Sequence, residues 1–168
     1  MNTMKPSSST KTFVLALFTA AMAFSSSCAQ QGGGRGLPPE AREQIHALFD
    51  AHAKIRRDLK LTADGYTALT ESDDPKVAAA LKKHVGQMQA RLGEGLSVRR
   101  WDPAFAEYCD HYGEMEHQFT LTDKGVRMTV KGRNAAAIKI AQNHAKVVSA
   151  FAAHGWSEHD KHHDKITR

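Results

Sequence analysis

Histidine is the residue type in this chain whose number and spacing most suggest chemistry, because the sequence contains ten. His84 and His144 each lie on the apolar stripe of a segment with helical periodicity. A buried neutral imidazole without a hydrogen-bond partner costs about 1–3 kcal/mol. The two histidines therefore indicate either a pair of ligands, for haem iron or a transition metal, or two structural side chains that each bond a backbone carbonyl.

Four further residues are candidates for completing such a site. His52 is predicted on the apolar face of the first helix, and Met88 lies one turn beyond His84. Tyr112 occupies the position of the second half that corresponds to His52, and Met115 follows it. Imidazole suits copper, zinc and iron, while thioether sulfur favours copper(I), so haem b or copper would suit such a site, although the sequence does not identify a cofactor. The alternative for His52 and Tyr112 is an amphipathic side chain at the rim of the core.

Other polar residues give weaker signals. His111, Glu114 and His117 span too wide an arc of a helix for one tight site, which favours a surface position. The lone Cys109 lies on an apolar stripe and is expected to act as a small buried hydrophobe. Covalent c-type haem is excluded because no Cys-x-x-Cys-His occurs. An enzyme would need His52, Tyr112 or Cys109 to converge in one cleft.

The segments that must position these residues recur at an offset of 60. Residues 45–95 and 105–155 both contain Leu-Thr, two residues and Gly, then a helix-capping residue, then His84 or His144. The caps are Asp74 and Asn134. This pattern predicts an internal duplication.

Each copy reads as a helix, a β-hairpin and a helix. The hairpins are predicted around three-residue loops at 63–65 and 123–125, with Gly65 in the left-handed conformation. One unit alone would expose an unpaired sheet edge, so two units are expected to pair their hairpins. The fold class is therefore α+β: two helix–β-hairpin–helix repeats with pseudo-twofold symmetry, whose four-stranded antiparallel sheet is covered on one face by helices.

The chain ends are predicted to lie outside this domain. Residues 1–28 combine a basic start, an apolar run and small residues, which is typical of a signal peptide. Cys28 follows small residues as in a lipoprotein cleavage site, where it would be lipidated; ordinary cleavage near Ala29 is the alternative. Residues 29–38 are expected to form a flexible tether, 39–155 the domain, and 156–168 a polar, His-rich tail. In that tail His159, His162 and His163 either bind metal weakly or form a solvated end.

Charge and motifs exclude several partner classes. Without Lys5 and Lys11 the 23 basic residues fall to 21, against 18 acidic ones, which is not the balance of a nucleic-acid-binding protein. No phosphate loop, dinucleotide fingerprint or His-Glu-x-x-His motif is present. Contact with a membrane is expected only through a lipid on Cys28, and a protein partner in the cell envelope is a further expectation.

Several segments resemble a known group of proteins. DGYTALTESDDPKVAAALKKHVGQMQARL, RRWDP and KGVRMTVKG followed by QNHAKVVSAF are similar to small exported bacterial proteins of unsettled function. The resemblance covers most of residues 45–155 and departs at 132–134, where the second copy lacks Ser-Asp-Asp-Pro. It implies the domain boundaries and an exported, periplasmic location, and it assigns no catalytic residue.

The sequence thus predicts an exported, non-catalytic binding protein that holds haem or a transition metal through His84, His144 and His52. The accessory residues would be Met88, Met115 and Tyr112. A cofactor-free interaction or structural domain of the envelope is the alternative. An enzyme is the least favoured of the three.

Overall fold

A computed structural model of the chain describes residues 36–167. The predicted signal peptide, the lipidation site at Cys28 and residues 29–35 of the tether lie outside the described residues. The helices are α1 Pro39–Asp50, α2 Pro75–Gly93, α3 Pro103–Asp110, α4 Ala135–His154 and α5 Trp156–His159, and the strands are β1 Arg56–Thr62, β2 Gly65–Glu71, β3 Met115–Thr122 and β4 Gly125–Gly132. Short 3-10 turns, His52–Lys54 and Tyr112–Glu114, precede β1 and β3.

Local sequence signals explain where the longer helices begin. The Asp74 carboxylate accepts hydrogen bonds from the first backbone N–H groups of α2, and Asn134 accepts one from Ala137 N–H in α4. Asp102 caps α3 in the same way, through Ala104 N–H. These side chains satisfy donors that the helix itself leaves unpaired. The predicted caps are confirmed.

The four strands form one antiparallel sheet in the order β1-β2-β4-β3. Tyr66, Ala68, Val126 and Val130 are buried, whereas alternate positions such as Arg127 are exposed. The buried face of the sheet packs against α3 and α4 to form the main core. The α+β class and the four-stranded antiparallel sheet are therefore confirmed.

The hairpin loops are tighter than predicted. Gly65 is already paired with Thr62, so the loop has two residues, and its φ of 158° is not the left-handed value. A Cβ on Gly65 would collide with the backbone carbonyl of Val130 on the neighbouring strand. The prediction of a left-handed glycine was wrong, because close approach of strands, not the turn, excludes a side chain here.

The C-terminal segment is exposed over much of its length but is attached to α3. The carboxylate of Glu107 accepts hydrogen bonds from the backbone N–H groups of Ile166 and Thr167, and Ala104 N–H donates to the carbonyl of His163. The prediction of a solvated end holds for the exposed His162 but was wrong for His163, because polar composition does not show that the carboxylates of Asp102 and Glu158 lie beside its ring. Within residues 36–167 no helix is long and apolar enough to cross a membrane.

Candidate functional site

A cavity of about 230 Å³ lies between the inner face of the sheet and helices α1–α4. Most of its lining is aliphatic or aromatic. Each helix contributes, for example through Phe49, Leu81, Phe105 and Phe151. The cavity is partly open to solvent, so a small molecule could enter it.

His84 and His144 both line this cavity. The Nδ1 atom of each ring is buried and has no hydrogen-bond partner among residues 36–167. Burial lowers the pKa of His84 to about 4 and that of His144 to about 3. Both imidazoles are therefore neutral at pH 7, and each presents one unpaired ring nitrogen inside the protein. The structure thus brings the two predicted histidines to one site.

Aromatic rings fix the orientation of His144. Tyr108 stacks on it with a centroid distance of 3.7 Å, and Phe105 meets it edge-on at 5.0 Å. The Tyr108 hydroxyl is 2.9 Å from Nε2 of His117, so the stacked tyrosine is itself anchored. A ring held on two sides cannot easily turn to find another partner for its Nδ1.

All three tyrosines of the chain line the cavity: Tyr66, Tyr108 and Tyr112. Burial raises the pKa of Tyr66 to about 12 and holds that of Tyr108 well above its usual value. The Tyr66 hydroxyl donates to the sulfur of Met128 at 3.0 Å. The phenols are therefore neutral, and together with the histidines they make a polar but uncharged part of the lining.

Arg57 is a cavity residue that the sequence reasoning missed. It lies on β1, and its guanidinium donates to Thr70 Oγ1 at 2.6 Å and to Ser149 Oγ at 3.1 Å. Burial lowers the pKa of Arg57, yet an arginine remains charged in a folded protein. The sequence could have indicated this position, because Arg57 shares one face of β1 with Leu59 and Leu61.

Only part of the predicted accessory set reaches the cavity. Met88 and Tyr112 line it. Met115 is buried in the main core instead, and His52 lies in the 3-10 turn after α1, bonded through Nδ1 to the carbonyl of Phe49 at 2.8 Å. The apolar stripe suggested a longer helix, but α1 ends at Asp50, and this turns His52 away from the predicted site.

The predicted surface histidines divide into two environments. His111 contacts the Glu114 carboxylate at 2.8 Å and stays partly exposed. His117 lies on the inward face of β3, stacked on Tyr112 at 4.1 Å, and burial lowers its pKa to about 4. The surface prediction was wrong for His117, because the helix ends before it and strand alternation decides its direction.

Cys109 is not part of the cavity lining. Its sulfur lies 3.8 Å from the carbonyl of Val98, and burial raises its pKa, so it is a poor nucleophile. Of the three residues that an enzyme would have used, only Tyr112 lines the cavity. His52, Tyr112 and Cys109 therefore do not converge in this cavity, as the enzyme hypothesis required.

A second polar cluster is built quite differently, and we name it the C-terminal clamp: Arg99, Asp102, Glu107, Glu158 and His163. The His163 ring lies 2.7 Å from the Asp102 carboxylate and 2.9 Å from that of Glu158. Asp102, which is fully buried, also accepts from Arg99 at 3.2 Å. Burial disfavours the imidazolium, but the two carboxylates raise the pKa of His163 above its usual value.

Comparison of the chain with protein-family models, curated proteins and solved structures found no match. The resemblance to small exported proteins therefore stays a prediction. Within residues 36–167 no group of three or more His, Cys, Asp or Glu side chains is placed to hold a metal ion. The site must be understood from its own geometry.

Proposed function

We propose that this protein binds a small, mainly apolar molecule in the cavity between its sheet and helices. The observation that carries the proposal is the cavity itself, which combines an apolar lining with the unpaired Nδ1 atoms of His84 and His144. Apolar pockets with a few convergent polar groups are the usual form of a small-molecule site. The polar groups would orient the ligand, and burial of its apolar body would supply most of the affinity.

The cavity is partly open to solvent, so water can reach its apolar side chains. A ligand that fills the cavity would remove their surface from water, which is favourable by about 25 cal/mol per Å².

The volume also limits the ligand. An apolar cavity of about 150 Å³ accepts benzene, so by proportion this one holds about nine non-hydrogen atoms. Heptanamide has this size and one neutral polar group. Haem b is several times larger, so haem would enter only if the helices moved apart.

The proposal is tested by filling the cavity from α4. Ala152 lines the cavity and its neighbour Ala153 is exposed, so Ala152→Phe and Ala153→Phe form a matched pair. We expect Ala152→Phe to abolish heptanamide binding in calorimetry and to raise or preserve the melting temperature, and Ala153→Phe to change neither. Unaltered heptanamide binding by a folded Ala152→Phe protein, or none by the wild type, would overturn the proposal.

Copper(I) is a second candidate ligand, favoured by the two unpaired Nδ1 atoms and by Met88 in the same lining. Two imidazoles and a thioether are suitable ligands for this ion. The test is elemental analysis and a copper(I) competition titration of protein purified without chelator or His tag. We expect about one copper per chain, lost in both His84→Leu and His144→Leu but kept in the exposed-site control His154→Leu. A copper-free protein that ignores added copper(I) would remove this candidate.

We also propose that the protein is exported and anchored in the cell envelope by a lipid on Cys28. The support is the order of basic, apolar and small residues in 1–28. Wild-type protein is expected in the membrane fraction of a bacterial host and Cys28→Ala in the soluble periplasmic fraction. Recovery of both proteins in the soluble fraction would favour ordinary cleavage near Ala29.

We further propose that the domain arose by duplication and has pseudo-twofold symmetry. The support is that β2 pairs with β4 about the equivalent residues Ala68 and Met128. A Cβ placed on Gly65 or on Gly125 would also collide equally closely with the equivalent backbone carbonyl, that of Val130 or Thr70. Gly65→Ala and Gly125→Ala should therefore lower the free energy of unfolding by similar amounts, and a large difference between them would count against the symmetry.

A cofactor-free interaction domain of the envelope is the remaining alternative. It would be favoured if the wild-type protein bound neither heptanamide nor copper(I) while remaining folded. The exposed side chains of Trp101, Leu121 and Trp156 would then be the first places to look for a protein partner.

A further inference from the structure

We infer that the ligand of this cavity is a small carboxylic acid in its ionised form, whose carboxylate pairs with Arg57. This inference rests on the proposed function and narrows it to a chemical class. The basis for it is the guanidinium of Arg57, the one charged group of the cavity lining that is not paired with a carboxylate of the described chain.

Arg57 differs from several other arginines of the described chain in having no carboxylate partner. Arg99, the other cavity-lining arginine, pairs with Asp102, and the exposed Arg56 and Arg100 pair with Asp73 and Asp110. Arg57 has two hydroxyl partners and, within residues 36–167, no carboxylate at ion-pair distance. A buried charge without a counter-ion is expensive, which makes an anion the group that this part of the cavity lacks.

Arg57 and Thr70 both line the cavity, from β1 and β2. The Arg57 guanidinium is held by hydrogen bonds to Thr70 and to Ser149 of α4, although Ser149 itself is not part of the lining. His144 also lines the cavity, so the two side chains border the same space. A guanidinium has five N–H donors. With two of them used, others remain for a carboxylate.

The charge balance favours a monoanion. His84, His144 and the tyrosines are neutral, so Arg57 is the only full positive charge of the lining that has no carboxylate partner within residues 36–167. A carboxylate matches one guanidinium in charge and in planar shape. A phosphate dianion would bring a second negative charge into an apolar space with nothing to compensate it.

The experiment compares two ligands of the same size, heptanoate and heptanamide, on the full chain by calorimetry at pH 7. Heptanoate is expected to bind more tightly, by about ten- to a hundredfold, which is the range of one charge-assisted hydrogen bond. Arg57→Gln is expected to remove this preference while leaving heptanamide binding intact. Retained heptanamide binding also shows that the variant is folded.

Arg127→Gln is the matched control, because it removes the same charge from the exposed face of the same sheet. It should keep the preference for heptanoate. Equal affinity of the wild type for the two ligands, or an unchanged preference in Arg57→Gln, would overturn the carboxylate assignment and leave the cavity proposal standing. Failure of the wild type to bind either ligand would overturn the cavity proposal itself.

Discussion

The C-terminal clamp and the cavity are two ways in which one small domain handles buried polar groups. In the clamp every carboxylate has partners: Asp102 bonds Arg99 and His163, and Glu158 bonds His163 and Lys161. In the cavity the Nδ1 atoms of both histidines have no partner within residues 36–167. Arg99 borders both regions. One of its outer nitrogens donates to Asp102 in the clamp and the other to the carbonyl of His159, while its Nε has no partner within residues 36–167.

The difference between paired polar groups in the clamp and unpaired ones in the cavity indicates which polar groups stabilise the fold. Buried polar side chains are normally satisfied, and each exception calls for an explanation. Of the four buried side-chain atoms that lack partners in the described chain, three belong to residues lining the cavity, and the fourth is on Gln87. We interpret the clamp as structure and the cavity as a site whose partners come from a ligand.

The largest expected effect breaks the clamp. Asp102→Ala leaves the largely buried Arg99 without its carboxylate and leaves His163 with only that of Glu158. Losing one partner of a buried ion pair destabilises a protein by about 3 kcal/mol or more. The measurement is urea-induced unfolding at pH 7. Asp110→Ala removes an exposed partner of Arg100 and should lower the free energy of unfolding by less than about 1 kcal/mol. Similar losses in both variants would mean that the clamp is not structural.

The second prediction concerns acid and the cavity histidines. Their folded-state pKa values of about 4 and about 3 lie below the unfolded value near 6.5, so the unfolded chain binds more protons between these limits. Stability should fall below pH 6.5, by about 1.4 kcal/mol per pH unit for each histidine. The double variant His84→Leu, His144→Leu should flatten this slope, and His154→Leu should not. An unchanged slope in the double variant would show that the imidazoles are not buried and neutral.

The smallest expected effect has the opposite sign and comes from His163. Its folded-state pKa is raised, so its contribution is fully present below the unfolded value and is lost as the pH rises through the folded value. His163→Gln should therefore reduce the loss of stability between pH 6 and pH 8, measured by thermal unfolding in this range (limits chosen around the ordinary histidine pKa of about 6.5). If His163→Gln changed stability only below pH 6, this would contradict the raised pKa of His163 in the clamp.

Parts of this picture were predictable from local patterns. His84 and His144 were identified because helical periodicity decides which face of a helix is buried, and both helices form as expected. Arg57 could have been found by the same reasoning on β1, since a charged residue at an inward position of a strand is an exception.

Other parts depend on contacts that local patterns do not encode. His52 was misplaced because the end of α1 is set by tertiary packing, not by its apolar stripe. The clamp joins Asp102 and Glu107 to residues about sixty positions further along the chain, and polar composition alone does not reveal such partners. A cavity is the space that side chains leave, so its volume follows only from the packed structure.

The most direct test of the account is a crystal structure of the protein with 6-bromohexanoate, whose bromine can be located by anomalous scattering. We expect bromine between the sheet and helices α2 and α4, with the carboxylate about 3 Å from the guanidinium of Arg57. Bromine found only on the outer surface, or a cavity without ligand at saturating concentration, would contradict the claim that this cavity is a binding site.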